Sequence, residues 1–161
     1  MARLEIRRDP KDGALRKRSK EIRRINAKAR RLLEDMKETM YAEKGFGLSA
    51  VQVGVLRRMF VIDCGAGFAA LINPTLVETA GKQWAQEGCL SIPGVFGRVG
   101  RPERVVVCAF DSDGRKVRME FSGLSARVVC HEIDHLDGIL FVDKAVPGSL
   151  IRRNEIGGQR K

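Results

Sequence analysis

The sequence predicts an α+β domain, and three features predict it. Apolar residues recur at helical spacing through residues 21–41, short strand-like runs broken by glycine turns fill the middle of the chain, and a second helical pattern comes late. One helix, then several neighbouring strands, then another helix is the order of an α+β domain rather than of alternating βαβ units. With 161 residues, 43% of them apolar and 31% charged, the chain is read as one domain with a real core, spanning 1–161.

The elements follow in order. The first helix is read from Glu21 to about Tyr41, its core stripe running from Ile22 and Ile25 through Leu33 and Met36 to Met40, with Arg, Lys and Glu on the other faces. Gly45 ends it and opens GFGLSAVQVG, residues 45–54, expected to be an extended loop lining a ligand. Its glycines let backbone run close to something else, and it fits neither GxGxxG nor a P-loop. Residues 58–64 and 69–73 read as a hairpin across Gly65-Ala66-Gly67, and residues 75–79 and 82–86 as another across Gly81. Residues 105–110 and 116–121 form a third, whose Asp113-Gly114 is a strong turn signal. The second helix starts at Gly123 or Ser125 and is capped by Gly138. Residues 139–142 read as a short apolar strand, and 152–161 as a frayed basic tail.

Composition narrows the function. The net charge of +10 attracts polyanions such as ribosomal RNA, although so few aromatic residues give no stacking platform for single strands, and no specific DNA recognition is expected. No apolar run reaches eighteen residues, so no membrane span is expected. The opening MARLEIRRDPKDG is basic but lacks an apolar stretch and holds acidic residues, so neither a secretory signal nor a transit peptide is read, and a cytoplasmic location is expected. Cys64, Cys89, Cys108 and Cys130 form no CxxC pair, which argues against a disulfide framework or a four-thiolate zinc site. At least three of them are expected to act as small buried apolar residues.

The chemistry concentrates in VVCHEIDHLDG, residues 128–138. On a helix His131 and His135 lie one turn apart on a single face, with Glu132 at its flank: the HExxH arrangement, in which two imidazoles hold a metal and the carboxylate handles protons on water. These are the only two histidines, so a third protein ligand is of another kind. The place six residues after His135 is Phe141, Glu155 lies twenty residues on, and Cys89 sits upstream in EGCLSIPG, residues 87–94. A thiolate with two imidazoles leaves a fourth position open, as catalytic sites do. Gly88 and Pro93 suggest a special backbone path around that cysteine.

Three motifs in order, Gly45 to Gln52 (GxGLAAxQ), Glu87 to Ser91 (EGCLS) and His131 to His135 (HExDH), resemble those of the peptide deformylase family. The likeness runs from DGALRKRS at Asp12 to ILFVD after the second helix. It implies antiparallel β-sheets packed around a central HExxH-bearing helix, with an N-terminal helix. It also implies hydrolytic removal of the N-formyl group from N-terminal formylmethionine of new polypeptides, releasing formate. The metal is implied at Cys89, His131 and His135, as Fe2+ physiologically, with Zn2+, Ni2+ or Co2+ in preparations. A metal in such a site makes water nucleophilic near neutral pH, and Glu132 moves its proton to the leaving amine.

By the same resemblance, the Gln52 side chain and the Leu90 backbone N–H donate to the developing oxyanion. The peptide is bound as an extended strand along Gly45, Phe46, Gly47 and Gly88, with Phe46, Leu124 and Val128 lining the methionine pocket. Glu87 is expected to pair with Arg101 behind the ligands. Three positions depart from the family pattern: Ser49 where alanine is usual, Val51 where proline is common, and Cys130 where glutamine commonly precedes HExDH. Two rival readings are another HExxH metallopeptidase using Glu155, and a deformylase-like basic binding protein with little activity, docked on the ribosome.

Overall fold

The computed structural model describes residues 2–153. Helix α1 spans Ala27–Ala42. Asn26 caps it, its side-chain oxygen accepting from the Ala29 N–H at 2.9 Å. The expected start at Glu21 is too early, because residues 21–26 are not helical. The Asn73 side chain takes both main-chain groups of Ile22, at 2.9 and 2.8 Å, and Lys20 O accepts from Arg58 N–H at 2.8 Å. Those bonds replace the helical ones, while Ile22 and Ile25 still pack inward and so imitate a helical stripe.

Strands β1 (Gly47–Ser49), β2 (Met59–Ile62), β3 (Ala69–Ala80), β4 (Gln83–Cys89), β5 (Ile92–Arg101), β6 (Arg104–Phe110), β7 (Lys116–Ser122) and β8 (Ile151–Arg152) form two antiparallel sheets. One has the order β1-β2-β3-β6-β7 and the other β4-β5-β8. The β2–β3 and β6–β7 hairpins fall where expected. The hairpin across Gly81 does not form. β3 runs on through Pro74 at a register shift and pairs with β6, while β4 leaves for the second sheet and pairs with β5. β5, rich in Gly and Pro, was not anticipated from the sequence. Residues 45–54 are likewise not one loop: β1 is followed by a 3-10 turn, Ala50–Val53.

Helix α2 spans Leu124–Leu136. Ala126 and Val129 pack with Phe60, Leu71, Val105 and Val107 in the main core, so the second helix lies against the large sheet. Gly138 follows the cap with φ 75, and a Cβ there would stand 2.4 Å from Arg16 O, so only glycine lets the chain turn. The run after it is a 3-10 turn, Phe141–Asp143, rather than a strand, and Leu140 and Phe141 are buried under the small sheet. Arg152 is not frayed, since β8 pairs it with Val95; residues 154–161, with Glu155, lie outside the described residues. All four cysteines are free, but only Cys130 is buried, the other three being partly exposed. No described helix is long and apolar enough to cross a membrane.

Candidate metal centre

The 3.6-residue period of α2 sets His131 and His135 on one face, and β4 delivers Cys89 against them from the small sheet. The two Nε2 atoms are 3.1 Å apart and Cys89 Sγ is 3.3 Å from His135 Nε2. The three ligand atoms all lie within 4.8 Å of one another. Tetrahedral bonds of about 2.0–2.1 Å to nitrogen and 2.3 Å to sulfur require separations of roughly 3.3 Å and 3.6 Å, so this donor set fits one divalent ion.

Behind the ligands is a buried ionic network. Glu87 Oε1 lies 2.6 Å from His131 Nδ1, which therefore carries the hydrogen and leaves Nε2 free to coordinate. Arg101 donates to Glu87 through Nε at 3.2 Å and Nη2 at 2.6 Å, as expected, and Arg127 Nη1 adds a bond of 2.6 Å. Arg101 Nη1 continues to Asp134 at 2.6 Å, and Lys144 Nζ reaches Asp134 at 2.9 Å. Burial works against the charge on Glu87, but His131 and Arg101 outweigh it and hold the carboxyl well below its usual range. Burial also opposes charge on His131, yet Cys89 and Glu87 prevail and raise it, while burial and that neighbouring charge push His135 well down.

Glu132 is buried, and its carboxylate sits between two residues on the same side of β1. Ser49 Oγ is 2.8 Å from Oε1, and a Cβ on Gly47 would lie 2.9 Å from Oε2, so only glycine leaves space there. Burial raises the Glu132 pKa, with His131 and Ser49 pulling partly back. Gln52 is also buried: its Oε1 accepts from Ser49 N–H at 3.0 Å, which turns Nε2 toward Ser91 Oγ at 3.1 Å and Cys89 Sγ at 3.7 Å.

A cleft of about 300 Å³ opens over these groups. Its lining brings together Gly45, Phe46, Gly47, Gln52, Gly88, Cys89, Leu90, Leu124, Val128, His131 and Glu132, that is, every anticipated site residue except His135, which lies deeper. Phe46 and Leu124 are half-exposed at the rim, whereas Val128 is buried. Sequence reasoning missed Arg127, Asp134 and the bond from Ser49 to Glu132. Arg127 had a signal, standing one turn before His131 on the histidine face; Asp134 and Ser49 are joined to their partners only by the tertiary fold.

Two imidazoles and a thiol around a single point, a buried carboxylate beside them and an open cleft in front define a mononuclear metallohydrolase of the HExxH kind. The family model described as Polypeptide deformylase matches residues 3–149. The peptide deformylase of Acetivibrio thermocellus is 55% identical over 139 residues, covering 86% of this chain and 82% of its own. That of Caldicellulosiruptor bescii is 53% identical over 135 residues, covering 84% and 81%. Among solved structures, the peptide deformylase of Thermotoga maritima superposes with a TM-score of 0.88 at 40% identity, covering 91% of this chain and all of its own. The Synechococcus elongatus enzyme, in complex with actinonin, gives 0.87 at 42% identity, covering 90% and 80%. The chain belongs to the polypeptide deformylase family. It is a hydrolase that removes the formyl group from nascent polypeptides, with the Cys89, His131 and His135 metal site typical of that family.

Proposed function

We propose the following division of labour for deformylation. Cys89, His131 and His135 hold the metal, which when bound acts as a Lewis acid toward water and the formyl oxygen. Glu132 takes a proton from the attacking water and returns it to the leaving amine. Burial raises its pKa above the ordinary carboxylate value, which favours its taking up the proton. Gln52 Nε2 and the Leu90 backbone N–H stabilise the oxyanion, and the peptide lies extended along Gly45, Phe46, Gly47 and Gly88 with its methionine side chain toward Leu124 and Val128. Main-chain pairing of that kind accepts many sequences after the first residue.

The observation that carries this reading is the carboxylate of Glu132, buried and hydrogen-bonded at the wall of the metal cleft. Release of formate from a formyl-Met dipeptide by anaerobically prepared enzyme tests it. Glu132→Gln should keep its metal and lose about 10²–10⁴-fold in kcat. Equal activity of the two proteins would remove Glu132 from the proton path.

The physiological metal in this proposal is Fe2+, with Zn2+, Ni2+ or Co2+ as substitutes, and a thiolate with a readily oxidised ion suits a reducing cytoplasm. Residues 1–161 act as one catalytic domain. We also propose ribosome contact through the basic surface: residues 16–31 hold nine of the thirty Lys and Arg but one of the twenty acidic residues.

A further inference from the structure

We infer that Ser49 is the positioning residue for Glu132, fixing its carboxylate at the wall of the cleft through a hydrogen bond to Oε1. The inference rests on the proton-carrying role proposed above for Glu132. Ser49 is fully buried on β1, and its Oγ lies 2.8 Å from Glu132 Oε1 and 2.9 Å from Glu132 main-chain O. A hydroxyl has one hydrogen and two lone pairs, so it can face either acceptor. Toward a carboxylate it donates to Oε1. Glu132 Oε1 is thereby paired, which matters because an orphaned polar atom at this depth is costly.

The neighbours of this contact leave the carboxyl little choice of place. Gly47, two residues before Ser49 on the same side of β1, has no room for a Cβ beside Oε2. The Ser49 main chain makes a separate contact, its N–H donating to Gln52 Oε1 at 3.0 Å. One residue thus sets the base through its side chain and the cleft amide through its backbone. Replacing the side chain alone separates the two.

The test is Ser49→Ala in the metal-loaded enzyme, with formate release measured per bound metal, alongside Glu132→Gln and the double variant. We expect kcat to fall about tenfold, a part of the roughly 10²–10⁴-fold that a positioned base supplies. KM should stay within about twofold, with metal content retained and no further loss when the change is added to Glu132→Gln. A kcat per metal within twofold of the parent would overturn the inference, as would an equal tenfold loss in the Glu132→Gln background. A lower Tm with kcat per metal unchanged would assign Ser49 to packing and overturn it too. If Glu132→Gln itself stays active, the underlying reading has failed; if it is inactive while Ser49→Ala is not, only the inference has.

Discussion

Replacing Glu87 by glutamine removes a negative charge where two guanidinium groups converge, Arg101 at 3% and Arg127 at 5% exposure. Four donor contacts end on that carboxylate, at 2.6, 2.6, 2.6 and 3.2 Å. Glutamine keeps one acceptor oxygen and turns an NH2 toward groups that are themselves donors. Arg101 retains Asp134, whereas Arg127 is left with the Val99 and Gln83 carbonyls and the Gln83 side chain among the described residues. Stripping one side of a buried ion pair costs roughly 3–5 kcal/mol, a large part of a total stability of about 5–15 kcal/mol. His131 loses its orienting partner as well, which weakens metal binding by about 10–100-fold. Urea unfolding of the metal-free proteins measures the first effect, and competition with a chromophoric chelator measures the second. A stability loss below about 1 kcal/mol, together with unchanged metal affinity, would refute both the energetic and the orienting role of this network.

Two further outcomes follow from single contacts. Gly47→Ala puts a methyl 2.9 Å from both Glu132 Oε2 and Val128 Cγ1; displacing the carboxylate should lower kcat by about 10–100-fold with the metal retained, measured by formate release and metal analysis. Asp143 accepts from Arg16 and from Leu140 N–H at 3.0 Å, contacts that prevail over partial burial and lower its pKa from 3.8. A depressed carboxyl stabilises above its unfolded value and loses that contribution as pH falls through the folded one. Asp143→Asn should therefore cost up to about 1 kcal/mol at pH 7, and denaturant titrations should show the difference shrinking below pH 3.8.

The parts of the fold that were legible are those whose local pattern agrees with their tertiary role. The β6–β7 hairpin has alternation and an Asp-Gly turn, and α2 has its periodicity and a terminal glycine. β5 was hidden because Pro93, Gly94, Gly97 and Gly100 read as loop. Yet Gly100 and Gly97 are small so that Trp84 and Leu150 can pack directly onto the strand. Pro74 read as a strand end, whereas the register shift around it lets β3 continue. At the site, His131, Glu132 and His135 were legible by spacing along one helix, and Cys89 by its motif. Of the partners that orient them only the Glu87–Arg101 pair was read; Arg127 and Ser49 were not, since they reach Glu87 and Glu132 across elements far apart in the chain.

Cys89 comes from the three-stranded sheet, while the histidines ride on a helix packed against the five-stranded one, 42 residues further along. An ion at that junction is therefore a cross-brace between two halves of the molecule as well as a reagent. A ligand that binds only the native form adds about 4 kcal/mol of stability at a thousand times its dissociation constant. Heat tolerance of this protein should accordingly track the supply of free metal around it.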